Sequence, residues 1–198
     1  MRPWYLLIIL LLLPACSQQP AGAVVREYDF SASLGEIRKI EWNFGAVYPD
    51  MPEDIEQKAE MRDRLGVFYE QVHAQEDTED ARAIIAYLDF RLSALETERL
   101  YQWSQRKGRQ ATVEDGFRCS DMPVILDAAK VLNNSADAAD RAAAYFTAFM
   151  DSYPLQFAQA QHPSSTSLIL RAQAEILYQQ SRKEERTIAY FCGNATEG

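Results

Sequence analysis

The sequence predicts an all-α protein, an irregular bundle of about six helices with one long central helix and a short N-terminal segment that can be extended. Apolar residues recur at spacings of three and four along most of the chain, as they do on one face of a helix. Aspartate and serine precede several of these runs, and both residues commonly cap helix starts. The hydrophobic content of 47 % in 198 residues excludes wholesale disorder and suffices for one core.

The first predicted helix follows a segment, 24–30, that can be extended. Residues 33–36 (SLGE) have the form of a capping box. Helical spacing then continues over 33–44, and Gly45 is expected to end the helix. A strand is the alternative, because three apolar residues alternate with polar ones here: Ile40, Trp42 and Phe44.

The next two helices are predicted over about 50–74 and 79–106. Asp50 offers an N-cap for the first of them, and Pro52 suits its first turn. The longer helix carries two apolar stripes about 200° apart around its axis. The first stripe is Ala81, Ile85, Leu88, Leu92 and Leu95, and the second is Tyr87, Phe90, Ala94 and Tyr101. A helix that is apolar on both sides lies centrally or presents one side to a partner. Tyr87, Phe90 and Tyr101 are therefore candidate partner-binding residues.

Three more helices are predicted in the second half of the chain. Gly108 is expected to end the long helix, and a helix over 122–132 follows, with Met122, Ile125, Leu126, Ala129 and Leu132 facing inward. Residues 133–135 (NNS) are interpreted as a connector. The stretch 136–153 is strongly amphipathic and ends at Pro154, and the last helix begins near residue 166.

The N-terminus carries an export signal. Arg2 gives a positive start, ten apolar residues occupy 4–13, and Pro14 and Ala15 precede Cys16. Ten apolar residues are too few to span a bilayer, which needs about 20, so the pattern indicates a secretory signal. A weak ordinary cleavage site is present at 21–23 (AGA).

The residues 13–16 (LPAC) resemble the lipobox of bacterial lipoproteins. The resemblance covers these four residues and implies acylation of Cys16 and cleavage just before it. Ser17 stands where aspartate would imply retention at the inner membrane, so the resemblance implies passage to the outer membrane, facing the periplasm. In a Gram-positive host, the anchor would instead lie on the outer face of the single membrane.

These features predict four segments: a signal peptide over 1–15, a lipid-anchored spacer over 16–32, one helical domain over 33–192 and a flexible tail over 193–198. Removal of residues 1–15 takes away Arg2, so the net charge goes from −9 to −10. Nucleic-acid binding needs a basic patch and is not expected. The acidic charge is interpreted first as keeping an exported domain soluble, and it would also suit a basic partner protein.

The two remaining cysteines are expected to form a disulfide. Cys119 and Cys192 would lie outside the inner membrane, in an oxidising compartment where two such thiols pair. No histidine is near either thiol in sequence to activate it.

The sequence offers no catalytic or metal-binding constellation, and no cofactor is expected. Among the two histidines, His73 ends a Glu-x-x-His spacing that could belong to a di-iron bundle. His162 is preceded by Gln159 at that spacing, so half of such a site is missing. Both histidines are interpreted as solvated or capping residues.

The leading functional hypothesis is a non-enzymatic, membrane-tethered module that binds another envelope protein and helps an assembly. One alternative is an immunity-type inhibitor of a toxin delivered to the periplasm. The other is an enzyme or small-ligand carrier that acts on cell wall or lipid, which requires a concave pocket with convergent polar groups.

Overall fold

The computed structural model describes residues 28–45, 51–75, 78–111 and 118–193. Within these ranges the chain is helical and has no strand, which confirms the predicted all-α class. The helices are α1 (Phe30–Trp42), α2 (Ile55–His73), α3 (Glu79–Ala111), α4 (Met122–Ser152), α5 (Pro154–Ala160) and α6 (Thr166–Gly193), and a 3-10 turn spans Cys119–Asp121.

The first helix begins earlier than predicted. Asp29 is its N-cap, and the Asp29 carboxylate accepts a hydrogen bond of 2.7 Å from the Ala32 amide. Ser33 is buried inside the helix and does not cap it. Tyr28 and Phe30 are also packed in the core. The helical domain therefore includes residues predicted to belong to the spacer. Of the segment predicted to be extended over 24–30, Asp29 has extended backbone dihedrals, Phe30 is helical, and residues 24–27 lie outside the described residues. The predicted N-cap of the second helix, Asp50, is wrong, because α2 begins at Ile55 and its N-cap is Asp54, which accepts hydrogen bonds from the Glu56 and Gln57 amides.

The second half of the chain differs from the prediction at three places. Met122 and Leu126 were expected to face inward, but they are 36 % and 42 % exposed. Gly108 does not end α3, which continues to Ala111, because one glycine costs only about 1 kcal/mol and tertiary packing outweighs it. Residues 133–135 do not form a connector, because α4 runs through them. Ser135 is buried there and donates a hydrogen bond of 2.7 Å to the Thr97 carbonyl. Pro154 follows the end of α4 as predicted and starts a short helix, α5.

α3 lies between α2 and α4, so the prediction that this helix is central is confirmed. Contacts pair Ser104 with Ala128 and Ser135 with Thr97, which makes α3 and α4 antiparallel. The Ser181 hydroxyl donates to the Ala129 carbonyl, and Ile188 packs on Ile125; together these contacts make α6 antiparallel to α4. α3 and α6 therefore run parallel to each other, side by side on α4.

The two ends of the bundle have different cores. At the end that contains the start of α3, aromatic rings pack edge-on and face-on; they are Phe30, Tyr87, Phe90, Phe146 and Phe149. We call this the aromatic end. At the other end, small residues of α4 such as Ala128 and Ala129 are buried against α3 and α6, and Ile125 and Ile188 form a small buried apolar cluster beside the disulfide between Cys119 and Cys192. We call this the disulfide end.

One ion pair is buried between α1 and α3. The Arg91 Nε donates to Glu41 Oε1 at 2.7 Å, and its Nη2 contacts the same oxygen. The side chains of Arg91 and Glu41 are 1 % and 2 % exposed. The pair fixes where the end of α1 lies along α3, because neither charge can leave its partner while buried.

Candidate interaction surfaces

The structure buries two of the three predicted partner-binding residues. Tyr87 is 2 % and Phe90 0 % exposed, and both belong to the aromatic end. The prediction that they contact a partner is wrong, because α1 and α4 cover that side of α3. Tyr101 is half-buried and lies at the rim of a furrow between α3 and α6.

This furrow follows the parallel helices and has two parts. The proximal groove, of about 470 Å³, is lined from α3 by Glu98 and Tyr101 and from α6 by residues 169–180. The distal groove, of about 500 Å³, is lined by Ser104, Gln105, Gly108, Ile125, Gln180, Lys183, Glu184, Thr187, Ile188 and Phe191. Because α6 rises 1.5 Å per residue, the furrow is roughly 30 Å long.

The distal groove lies at the disulfide end and has a mainly apolar floor. Ile125 and Ile188 are buried at its base. Gly108 leaves space, since a Cβ placed there would have no heavy atom within 4 Å. Glu184 is half-buried in the wall, and burial raises the pKa of its carboxyl. The groove thus combines an apolar floor with one carboxyl group that is poorly solvated.

Two exposed aromatic residues stand beside this groove. Tyr190 and Phe191 are largely exposed, and their rings meet edge-on with centroids 5.1 Å apart. The next residue, Cys192, is bonded to Cys119, with Cα atoms 5.6 Å apart. The predicted disulfide is confirmed, and it holds the end of α6 against the start of α4. Exposed aromatic side chains on a rigid support are typical anchors of protein interfaces.

The proximal groove continues onto an exposed apolar face of α6. Leu168, Ile169 and Ile176 are 66 %, 64 % and 58 % exposed. Ala172 lies among them at helical spacing. Beside them, Gln173 donates a hydrogen bond of 3.0 Å to Glu98, which closes one edge of the face against α3. We call these four apolar residues the α6 face.

A third groove, of about 690 Å³, crosses α2, α3 and α4 and is rich in charge. Arg62, Asp89, Glu96 and Arg141 line it. Burial raises the pKa of Asp89, and the Tyr69 hydroxyl and the His73 ring offset only part of that effect. Burial also opposes ionisation of Glu96, but the hydrogen bond from Arg99 and the charges of three arginines, Arg99, Arg62 and Arg141, hold the pKa of its carboxyl below the ordinary value.

The two histidines lie in different surroundings. His73 is exposed on α2, and its ring centroid is 5.6 Å from that of Tyr69. His162 was predicted to be solvated or capping, but it is half-buried at the aromatic end, where its Nε2 and the Tyr87 hydroxyl share a hydrogen bond of 2.8 Å. Within the described ranges, no three histidine, cysteine or acidic residues are grouped so that they could hold a metal ion.

We expect His162 to make stability depend on pH. Burial lowers its pKa from 6.5 to about 4, assisted by the charges of Arg91 and Arg38. Between these values the unfolded chain binds a proton here that the folded chain does not. The free energy of unfolding should therefore fall as the pH falls through this window, by about 2 to 3 kcal/mol after allowance for partial exposure.

The test of this pH dependence is the substitution His162→Gln, whose amide keeps a hydrogen-bonding group near the Tyr87 hydroxyl and does not titrate. Urea unfolding from pH 7 to pH 4 should show a smaller loss of stability in this variant than in the native chain. Asp89 and Glu184 titrate in both proteins, so only the difference between the two curves reports His162. Parallel curves would contradict the prediction.

The exposed residues of the furrow were not among the sequence predictions. A signal for them does exist in α6, where Leu170, Ala174 and Leu177 already form a buried face. Ile169 and Ile176 lie about 100° away from that face on the helix. The apolar surface of α6 is wider than packing against one neighbouring helix requires. Such a surface indicates that the helix makes a second contact.

Comparisons with models of known protein families, with curated proteins and with solved structures returned no match to this chain. Among the described helices, none combines the length and the apolar character needed to cross a membrane.

Proposed function

We propose that the chain is an envelope lipoprotein that is held in the outer membrane by acylated Cys16 and faces the periplasm. Its helical domain binds another envelope protein and does not catalyse a reaction. The observation that carries the proposal is the distal groove, where an apolar floor lies beside the exposed ring of Phe191, which the exposed ring of Tyr190 meets edge-on. A groove of this shape suits an apolar helix or loop of a partner, with aromatic anchors at its rim.

The partner is expected to be basic overall and to place a cationic group beside Glu184, although Lys183 lines the same groove. The chain carries a net charge of −9, and the half-buried carboxyl of Glu184 lies in the groove wall. A cationic group on the partner would stabilise the ionised form of that carboxyl. Opposite net charge also speeds encounter between the two proteins.

Acylation of Cys16 is the first testable part of the proposal. Cells that express the native chain and are fed labelled palmitate should yield a labelled protein in the membrane fraction. Cys16→Ser should remove both the label and the membrane retention, because serine has no thiol to accept the lipid and the acyl chains supply the membrane affinity. An unlabelled native chain, or a native chain in the cytosolic fraction, would contradict the anchor.

Partner binding is tested by filling the distal groove. Gly108→Leu should place a side chain in its open space and should not strain α3, since leucine favours helix more than glycine does. Recovery of the partner from detergent-solubilised envelope should fall at least about tenfold, which corresponds to about 1.4 kcal/mol of lost binding free energy.

The matched control is Gly35→Leu, another glycine within a helix that has open space at its Cβ position and lies outside the three grooves. This variant should recover the partner as well as the native chain does. A basic toxin in the recovered material would favour immunity, and a component of a secretion channel would favour assembly. Recovery of nothing specific at modest salt, or equal recovery by both variants, would contradict the proposed binding.

A second candidate function is small-ligand binding or catalysis in the charged groove. The observation that favours it is Asp89, a carboxyl with a raised pKa in a cleft that also holds arginine side chains. Gly66 lines this groove and also has open space at its Cβ position. Gly66→Leu would then abolish the activity, whereas Gly108→Leu would leave it unchanged.

A further inference from the structure

The α6 face lies apart from the distal groove and has the geometry of a self-complementary contact. Its residues run in the order Leu168, Ile169, Ala172, Ile176. If a second α6 lies across it in the opposite direction, with the twofold axis between Ala172 and Gln173, Ile169 of each copy meets Ile176 of the other. Ala172 then lies at the crossing, where a small side chain lets two helices approach closely.

The charges beside the α6 face fit the same arrangement. Arg171 and Glu175 are exposed on the same flank of the apolar stripe. In an antiparallel pair, residues of the same flank face each other across the axis. The position of Arg171 in one copy and that of Glu175 in the other would then be only about 1.5 Å apart along the helix axis. Two such ion pairs form, one on each side of the axis.

The local charge balance also favours association at this place. Within the contact, over residues 168–176, α6 carries one basic and one acidic residue, Arg171 and Glu175, so its net charge there is zero. The whole chain has a net charge of −9. Two copies that meet through α6 therefore join surfaces without the acidic excess that repels them elsewhere.

We propose that the chain forms a homodimer in which the α6 faces of two copies pack antiparallel about a twofold axis next to Ala172. The second copy is the occupant that fits best, because both the apolar contacts and the Arg171–Glu175 pairs are satisfied by the same symmetric placement. Residues beyond about 180 extend past the contact. The distal groove of each copy consequently stays open, so the dimer is independent of the proposed partner binding.

The arrangement is tested by a cysteine at the axis. In the full chain carrying Cys16→Ser and purified in detergent, Ala172→Cys should form a covalent dimer under mild oxidation. Residues that face each other across closely packed helices lie within the Cα separation of about 7 Å that a disulfide needs. The matched control is Ala189→Cys, an exposed alanine of the same helix far from the axis, which also measures random coupling of chains that share a micelle. We expect roughly tenfold more dimer from Ala172→Cys.

Charge exchange gives a second readout in the same cysteine background. Arg171→Glu should lower the yield of the covalent dimer, because it places acidic residues opposite each other, and the added Glu175→Arg should restore the yield. Circular dichroism of each variant checks that the fold is kept. Equal cross-linking at positions 172 and 189, or no recovery in the charge-exchanged variant, would overturn the antiparallel dimer.

Discussion

Replacing Glu41 by alanine is expected to lower the free energy of unfolding by about 3 to 5 kcal/mol. Arg91 and Glu41 are almost completely buried, and the guanidinium bonds the carboxylate through two nitrogen atoms. Removal of the carboxylate leaves a positive charge in an apolar environment between α1 and α3. Equilibrium unfolding in urea measures the loss.

The control for this prediction is on the same helix. Glu36 pairs with Lys39 at 3.9 Å on the surface, where the two side chains are 61 % and 70 % exposed, so Glu36→Ala should change stability by less than about 0.5 kcal/mol. The double substitution Glu41→Leu with Arg91→Met removes both buried charges and should recover most of the loss. Similar effects of Glu36→Ala and Glu41→Ala would contradict the importance of the buried pair.

Loss of the disulfide is the second large effect that we expect. Cys119 and Cys192 are 73 residues apart in sequence, and opening a loop of this length costs on the order of 4 kcal/mol in the chain-entropy account. The variant with serine at both positions should show that loss in urea unfolding. The native chain in the presence of reductant should approach the same stability.

Two control measurements distinguish the loss of the disulfide from a general loss of folding stability. Reductant should have no effect on the variant with both serines, because no other disulfide is expected to remain. Cys16→Ser should keep the full stability of the domain, because residue 16 precedes the described core. A native chain whose unfolding midpoint is the same with and without reductant would contradict the contribution of the bond.

Periodicity predicted where the helices lie, but the caps predicted for α1 and α2 were each four residues away from the observed ones, Asp29 and Asp54. The spacing of apolar residues located α2, α3 and the second half of α4 to within a few residues. The NNS stretch has the composition of a turn, yet the helix continues through it. The Ser135 hydroxyl donates a hydrogen bond to the Thr97 carbonyl. That acceptor is on another helix, so local sequence reasoning could not identify it. The prediction for Gly108 failed for a related reason. The packing of α3 against other helices, which the local sequence does not show, outweighs the cost of one glycine.

The candidate surfaces were harder to predict than the fold. The two apolar stripes of α3 showed that both sides of the helix need cover, but they did not show what covers Tyr87 and Phe90. The answer depends on α1, which reaches α3 through Glu41, and on the turn that brings His162 to Tyr87. Tyr101 lies beyond the reach of both and stays at the rim of the furrow. The distal groove arises only when α3, α4 and α6 converge, far apart in sequence.

The unequal ends of the bundle bear on how the molecule moves. Large rings interlock at the aromatic end, while the disulfide end relies on small side chains, a few hydroxyl groups and one isoleucine pair. Local unfolding should therefore begin at the disulfide end, where the least apolar surface is buried. The bond between Cys119 and Cys192 is located at that same end. Because the bond joins the end of α6 to the start of α4, we expect local opening at this end to leave the two helix ends connected.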